Sequence, residues 1–123
     1  MRSSPVSAWG SNMTEIHFVD SHAHILDPDF AEDFDQVIQR TQEKHVDRIM
    51  IITLSLDLAD KAIAFAAKDP KKYTVATGIF PEDIKDVNED SWNQFVEVAK
   101  RPEIQVIGEI GLDYYWEKDE ALR

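Results

Sequence analysis

The segment DRIMIITLSLDLADKAIAFAAKDPKKYTVATGI, residues 47–79, is the part of the chain most informative about fold class. Asp47 to Thr53 is a continuous apolar run, which predicts a buried strand. Leu56 to Lys68 is alanine-rich with helical periodicity and stops before Asp69-Pro70, where proline disfavours further helix. Tyr73 to Ile79 is rich in strand formers. A helix between two strands predicts a βαβ unit, whose strands run parallel because of the long return connection.

The same alternation continues on both sides of this segment. Further predicted elements are a first strand over Glu15 to Asp20, an amphipathic helix over Asp29 to His45, a helix over Ser91 to Lys100 capped by Asp90 or Ser91, and a strand over Ile104 to Ile110. A complete (β/α)8 barrel takes about 250 residues. The pattern therefore predicts an α/β fold that is the N-terminal half of a TIM barrel, with a small open α/β sheet as the alternative.

The two ends of the chain depart from this pattern. Residues 1–14 are small, polar and unpatterned, which predicts a flexible tail ahead of a domain over residues 15–123. Glu117 to Arg123 (EKDEALR) is typical of the first turns of a helix, and no cap or apolar stripe follows it. We therefore expect a partial domain, truncated after the fourth strand.

The charge of the chain limits how it can contact nucleic acid. The 123 residues carry a formal net charge of −11, from 24 acidic and 13 basic residues. Because this charge repels polyanions, a passive nucleic-acid clamp is not expected. An enzyme that acts on phosphates is still compatible with it, since bound divalent cations reverse the sign of the local field.

The sequence predicts neither a membrane protein nor a disulfide framework. No apolar run approaches the roughly 20 residues that cross a bilayer, and residues 1–14 lack the apolar stretch of a secretory signal. There are no cysteines, which suits a reducing compartment. The expected location is the cytoplasm.

The first predicted strand ends in VDSHAH, residues 19–24. Side chains two apart point to the same side of a strand, so Asp20, His22 and His24 share a face and two imidazoles can reach one ion. In parallel α/β folds the C-terminal strand ends form the mouth of the active site. Asp20 is expected to orient an imidazole or to accept a hydrogen bond nearby. The alternative is a pair of ordinary surface or cap histidines, as we expect for His17 and His45.

Glu109 lies near the end of the fourth predicted strand, in GEIGLDYYW, residues 108–116. A carboxylate on an otherwise apolar strand must be paired, bound to metal or at a mouth, because burying it alone is costly. In a two-metal site one carboxylate can bridge both ions, and such a pair activates water and stabilises a phosphoryl leaving group. A strand-end salt bridge is the alternative.

The neighbours of Glu109 carry further hypotheses. Gly108 and Gly111 are expected to permit tight turns around it. Asp113 is a second candidate catalytic residue, which either bonds local backbone or accepts a proton from water activated by metal. An aromatic run follows at Tyr114, Tyr115 and Trp116. Its rings either stack on nucleobases or pack within the protein.

VDSHAH and, about ninety residues later, GEIGLDYYW resemble the TatD family of metal-dependent deoxyribonucleases in the amidohydrolase-like superfamily. DFDQVIQRTQEKHVDRIMIIT is similar to the family's first crossover and second strand, so the resemblance covers almost everything after residue 15. It implies that His22, His24 and Glu109 bind one or two divalent cations, Mg, Mn or Zn. The family completes its site with two histidines and an aspartate from later strands, which would come after Arg123.

One departure from the resemblance follows the third strand. Relatives usually carry histidine-proline after glycine-isoleucine or glycine-valine, and this chain has Phe80-Pro81 after Gly78-Ile79. Phenylalanine cannot bind phosphate or metal as histidine does. Either the pocket is reshaped, or Glu82 and Asp83 supply polar contacts instead.

Three functions remain open at this point. The resemblance implies a hydrolase that cleaves phosphodiester bonds of DNA, from an end or in single strands, with metal-activated water. An amidohydrolase-type reaction on an ester, amide or lactone is the alternative, motivated by Phe80 and the acidic charge. The third is a catalytically inactive piece, either a truncated fragment or a partner-binding module, with open edges at its first and fourth strands. In that case three ligands leave each ion under-coordinated, and metal binding and activity are weak.

Overall fold

Four strands and three α-helices alternate along the part of the chain that the computed structural model describes, residues 16–122. The elements are β1 Phe18–Ala23, α1 Phe34–Glu43, β2 Val46–Thr53, α2 Leu56–Ala66, β3 Tyr73–Thr77, α3 Glu89–Ala99 and β4 Ile104–Ile107. Short 3-10 helices at Pro28–Phe30 and Pro81–Asp86 precede α1 and α3. The tail predicted over residues 1–14 lies outside the described residues. Among those described, no helix has the length and apolar character needed to cross a bilayer.

The strands form one sheet in the order β1-β2-β3-β4, and every neighbouring pair runs parallel. Each connection between them contains an α-helix. Parallel strands joined by helices in sequential order are the arrangement of a TIM barrel, and four strands are half of its eight. The predicted α/β class and half-barrel architecture are therefore confirmed. Within residues 16–122, β1 and β4 each have a neighbour on one side only.

The core lies between the two central strands and α2. Ile49 and Ile51 of β2 and Val75 of β3 are at most 2% exposed. They belong to one buried cluster with Ala62 and Ala66 of α2. Because burying a side chain of the size of valine or isoleucine contributes about 1.5–3 kcal/mol, β2 and β3 form the firm centre of the sheet.

The single helix predicted over Asp29 to His45 is divided in two. Pro28–Phe30 forms a 3-10 helix capped by Asp27, whose Oδ1 accepts the backbone N–H of Asp29 at 3.0 Å. The α-helix begins only at Phe34. The apolar spacing runs unbroken across both pieces, so periodicity did not reveal the division, whereas aspartate followed by proline favours a turn of its own.

The N-cap of α3 is Asn88, so the predicted caps Asp90 and Ser91 were wrong. Asn88 Oδ1 accepts the backbone N–H of Ser91 at 2.9 Å, and Ser91 Oγ accepts the backbone N–H of Asn88 at 2.9 Å. This reciprocal pair is a capping box that uses serine at its fourth position. The helix therefore starts at Glu89, ahead of the predicted start.

Two strands end earlier than predicted. β3 ends at Thr77 rather than Ile79, and β4 ends at Ile107 rather than Ile110. In both cases the apolar composition continues past the last paired residue, so composition overestimates the strand. In both cases a glycine follows the last strand residue, Gly78 after β3 and Gly108 after β4. These two glycines lie at the rim of the sheet that is described below.

The helix predicted to begin at Glu117 does not form in the described residues, which have turns up to Leu122. Glu117 Oε1 accepts the backbone N–H of Asp119, and Asp119 Oδ1 accepts that of Ala121. Side-chain carboxylates thus take backbone donors locally, which competes with helix formation.

Candidate metal centre

His22 and His24 lie at the C-terminal end of β1, outside the core. Ala23 and Ile25, which alternate with them, are only 8% and 7% exposed. The alternation follows from the period of two residues along an extended chain. The two buried residues hold the segment against the core, and both imidazoles therefore point to the same side.

A bulge in β1 adjusts the direction of this segment. Asp20 pairs with Ile49 and Ala23 with Ile51, so three steps along β1 match two steps along β2. Asp20 Oδ1 accepts the backbone N–H of His22 at 3.0 Å. The carboxylate of Asp20 thus holds the backbone of the bulge, and of the two roles expected from the sequence it has that of a nearby hydrogen-bond acceptor, not of a contact to an imidazole. Bulges beside active sites commonly redirect a side chain, and β1 consequently extends beyond its predicted end at Asp20.

Glu109 is positioned by hydrogen bonds that continue the sheet past the last strand residues. The N–H of Gly78 donates to the carbonyl of Thr53 at 3.1 Å, and the N–H of Gly108 donates to the carbonyl of Thr77 at 2.8 Å. Thr53 is buried, and its Oγ1 donates to the carbonyl of Ala76 at 2.8 Å. The C-terminal ends of three strands are therefore tied together directly before Glu109.

The two imidazoles and the Glu109 carboxylate meet although they come from opposite edges of the sheet. His22 Nε2 lies 3.1 Å from His24 Nε2 and 3.2 Å from Glu109 Oε2. His24 Nε2 lies 3.8 Å from the same oxygen. In a flat sheet, β1 and β4 would be about 14 Å apart. Their side chains meet because the sheet curls as in a barrel, with these residues on its concave side.

This donor set fits a divalent cation. Two imidazole nitrogens and a carboxylate oxygen are ligands that zinc, manganese and related ions accept. Ligand atoms about 2.0–2.1 Å from a tetrahedral ion lie about 3.3 Å from one another, close to the 3.1, 3.2 and 3.8 Å measured here. Two imidazole nitrogens can face each other only across a proton or a cation. Among residues 16–122 these three form the one group of potential metal ligands that converges in this way.

Gly78 is the glycine that the site requires. A Cβ at Gly78 would lie 2.4 Å from the carbonyl oxygen and 2.6 Å from the nitrogen of Glu109, so only glycine allows β3 to end this close to the Glu109 backbone. The sequence predicted tight turns at Gly108 and Gly111, but neither has a positive φ. A Cβ at Gly108 would meet no atom within 4 Å, and one at Gly111 would only touch Pro81 at 3.8 Å. A glycine directly after a buried strand was the signal available in the sequence.

Asp113 lies outside the group of three and is used by its own loop. Its carboxylate accepts the backbone N–H groups of Tyr115 and Trp116 at 2.9 Å and of Glu117 at 3.0 Å. These bonds, that of Trp116 first, lower the pKa of Asp113 below its ordinary value, and Lys118 adds to the effect. The sequence suggested two roles for Asp113, and the structure confirms the first, which is hydrogen bonding to local backbone. A proton-accepting role stays a prediction, and a lowered pKa makes the carboxylate a weaker base.

Replacing Asp113 with alanine should loosen the loop that follows it. Three backbone donors lose their acceptor, so we expect lower protection of the amides of Tyr115, Trp116 and Glu117 against hydrogen exchange, measured by NMR as protection factors. Because the pKa is lowered, the ionised form stabilises the loop above pH 3.8, the ordinary value. The stabilisation is lost as the pH falls through the lowered pKa. The exposed Glu120→Gln is the control, and unchanged protection in Asp113→Ala would contradict this role.

His17 and His45 lie away from the group, as expected. They precede β1 and β2, at the N-terminal ends of the strands. His17 Nδ1 contacts Asp47 Oδ2 at 2.8 Å, and the rings of His17 and His45 are 5.5 Å apart. His45 has a φ of +56° directly after the cap of α1, the left-handed conformation with which helices often end.

The aromatic run after Asp113 is exposed. Tyr114, Tyr115 and Trp116 are 65%, 71% and 68% exposed, and the last two rings meet edge to face at 4.5 Å. Within residues 16–122, packing into the core is therefore not their role.

A groove of about 500 Å³ opens beside the rim, between α3 and the segments that follow β2 and β3. Gly78 and Phe80 both line it, so Phe80 faces this groove. Asp83 also lines it, and Glu82 does not. Of the two possibilities raised by Phe80-Pro81, the structure supports polar contacts from Asp83 but not from Glu82, and a reshaped pocket stays a prediction.

Comparison with known proteins places these features in a family. The family model described as TatD related DNase matches residues 19–123. The chain is 29% identical over 99 residues to an uncharacterized metal-dependent hydrolase, YabD, of Bacillus subtilis, covering 80% of this chain and 38% of the relative. It is 33% identical over 91 residues to the 3'-5' ssDNA/RNA exonuclease TatD of Cronobacter turicensis, covering 74% and 34%. A putative deoxyribonuclease, tatdn3, of Danio rerio is 28% identical over 120 residues, covering 86% and 45%. The chain thus spans somewhat more than a third of the length of the first two.

Proposed function

The chain belongs to the family of TatD-related DNases, and from this premise we propose that it is part of a metal-dependent hydrolase that cleaves phosphodiester bonds in DNA. The observation that carries the proposal is the meeting of His22, His24 and Glu109 within 3.1–3.8 Å. The proposed cofactors are one or two divalent cations, zinc, manganese or magnesium. The proposed location is the cytoplasm.

The donor set determines the local charge. Neutral imidazoles from His22 and His24 add none, and Glu109 adds one negative charge. A divalent cation held by these residues leaves a net charge of +1, although the whole chain carries −11. A phosphodiester is therefore attracted to this place, although the net charge of the chain repels it. When bound, such a cation supplies Lewis-acid chemistry, polarising the phosphoryl oxygen and acidifying water.

The surrounding residues orient the three donors. Asp20 holds the His22 backbone through its 3.0 Å hydrogen bond. Gly78 and Gly108 tie the Glu109 segment to the ends of β2 and β3. Donors held in place in this way need little rearrangement when charge develops on a phosphoryl group, which favours catalysis. Asp113 supports the exposed aromatic loop, whose rings are candidates for stacking on unpaired bases.

The proposed substrate is DNA, cleaved from an end or in single strands. The relative from Cronobacter turicensis is named as a 3'-5' ssDNA/RNA exonuclease, and that from Danio rerio as a putative deoxyribonuclease. Unpaired bases can use exposed aromatic side chains such as Tyr115 and Trp116, which a duplex cannot.

A second candidate is hydrolysis of an ester, amide or lactone. It is favoured by the groove beside the rim, which Phe80 and three aspartates line and no basic side chain does. Such a groove suits an uncharged or cationic substrate better than an anionic one.

A substrate panel distinguishes the two candidates. The purified 123-residue chain is incubated with Mn²⁺ and single-stranded DNA, duplex DNA, ester, amide or lactone substrates, at enzyme in excess. We expect slow cleavage that is fastest on single-stranded DNA, since three protein ligands leave the ion under-coordinated. His22→Ala should lower the rate at least about tenfold, because even loss of an outer-shell partner of a metal ligand costs about 10–100-fold. Preference for a carbonyl substrate would support the second candidate, and equal rates in His22→Ala would refute both.

A further inference from the structure

We infer that the groove beside the metal centre is a base-binding subsite that selects nucleobases carrying an exocyclic amino group. That the ligand is a nucleobase rests on the proposed function. That it carries an amino group follows from the residues that line the groove. Its volume of about 500 Å³ falls within the range of small-molecule sites in proteins.

The interior of the groove is apolar and partly aromatic. Leu54 and Ile79 follow the ends of β2 and β3, and Val87 follows the 3-10 helix. Two rings also line the groove, Phe80 before the 3-10 helix and Phe95 in α3. A small hydrated cation would leave this lining exposed to water. A flat heterocycle covers it and gains from contact with phenylalanine, since stacking does not depend on base identity.

The exposed part of the groove lining includes three unpaired carboxylates. Asp57, Asp83 and Asp86 line it, and in the described part of the chain none has a hydrogen bond or an ion pair to its side chain. The N-terminus of α2 at Leu56 contributes only about half a positive charge, and no basic residue lines the groove. This field repels phosphate and presents hydrogen-bond acceptors to whatever enters the groove.

A base with an exocyclic amino group fits both the apolar, aromatic lining and the carboxylates of the groove. Its exocyclic amine donates hydrogen bonds, and carboxylates are the side chains that accept from the amino group of cytosine. Uracil and hypoxanthine present a carbonyl oxygen at the corresponding position, which a carboxylate repels. The groove should therefore prefer cytosine over uracil and adenine over hypoxanthine.

The position of the groove connects it to the metal centre. Gly78 lines the groove, and its backbone packs directly against Gly108 and Glu109. Pro81 begins the 3-10 helix that carries Asp83 and Asp86, and it lies next to Gly111 in the loop after Glu109. A strand whose phosphate is at the metal centre can thus place a neighbouring base in the groove, and the −11 charge of the chain does not oppose an uncharged ring.

The test measures nucleoside binding to the 123-residue chain in the presence of a metal chelator, by NMR titration. Cytidine is compared with uridine, and adenosine with inosine. We expect the amino-bearing member of each pair to bind about tenfold tighter or more, the size of effect that one hydrogen bond to a charged acceptor has. The shifted resonances should come from the groove residues. Equal binding within both pairs, no binding at all, or tighter binding of propylammonium than of cytidine would overturn the inference.

Variants identify the groove as the site. The double variant Asp83→Asn, Asp86→Asn should remove the preference within each pair. Phe80→Leu keeps an apolar side chain without a ring and should weaken all four nucleosides about fivefold or more. Glu82→Gln, on the same 3-10 helix but outside the groove lining, is the matched control and should bind as the wild type does. Unchanged binding in both Phe80→Leu and the double variant would contradict the inference.

The outcome is separable from that of the proposed function. His22→Ala should abolish phosphodiester cleavage but leave nucleoside binding unchanged, because binding is measured without metal or phosphate. If cleavage fails and the nucleoside preference holds, only the catalytic proposal is wrong. If cleavage depends on His22 and the preference is absent, only the subsite is wrong.

Discussion

Glu109→Gln should weaken Zn²⁺ binding by a factor of at least about 10–100, because loss of an outer-shell partner alone has that effect. The substitution keeps the shape of the side chain but replaces the one charged donor of the group with a neutral amide. Oε2 of Glu109 lies 3.2 and 3.8 Å from the two imidazole nitrogens, so no other described carboxylate can substitute for it. Isothermal titration calorimetry gives the affinity directly.

Glu109→Gln should also abolish most of the stabilisation of the folded chain by zinc. A ligand that binds only the folded chain at a hundred times its Kd stabilises it by about 2.7 kcal/mol, so zinc should raise the Tm of the wild type and have little effect on Glu109→Gln. Glu103→Gln is the matched control, because Glu103 is an exposed glutamate just before the opposite end of β4. A Zn²⁺ affinity and a Tm shift equal to those of the wild type would remove Glu109 from the site.

Gly78→Ala is expected to damage both the fold and the site. The added methyl group would lie 2.4–2.6 Å from backbone atoms of Gly108 and Glu109, which must move. Overpacking of this kind costs about 1–3 kcal/mol, which urea unfolding measures. Because the displaced backbone carries Glu109, zinc affinity should fall as well, although Gly78 donates no ligand.

Gly111→Ala separates this effect from a general cost of replacing glycine. Its Cβ would make only an ordinary contact of 3.8 Å with Pro81, and Gly111 has no positive φ. We expect wild-type stability and zinc affinity in this variant. Equal behaviour of the two alanine variants would show that the close approach at Gly78 is not what positions Glu109.

The fold class could be predicted from the sequence because strands and helices leave different periodicities. The apolar run Asp47 to Thr53 predicted β2, and the alanine-rich segment after it predicted α2. The length of the connection then predicted parallel pairing of the strands. The predicted ends of helices and strands were less accurate where hydrogen bonds of individual side chains, rather than periodicity, determine them. Asn88 caps α3 through a reciprocal bond with Ser91, and composition alone does not distinguish that serine from the cap itself.

The convergence of the three candidate ligands could be predicted from the sequence, but the residues that support them could not. His22, His24 and Glu109 share one rim because parallel strands end together, and chemistry-bearing residues at strand ends indicate this directly. The bulge at Asp20, the close approach at Gly78 and the groove lined by Phe80 depend on how separate segments meet in space. A glycine directly after a buried strand marks Gly78 in the sequence, but no local pattern says which segment approaches it.

The convergence of two imidazoles and one carboxylate on a single cation is tested most directly by a crystal structure of the chain grown with Zn²⁺, with anomalous diffraction recorded at the zinc edge. We predict a peak bonded to His22 Nε2, His24 Nε2 and an oxygen of Glu109, at about 2.0–2.2 Å from each. A peak coordinated by other side chains, or a folded chain with no peak between these three residues, would contradict the proposed centre.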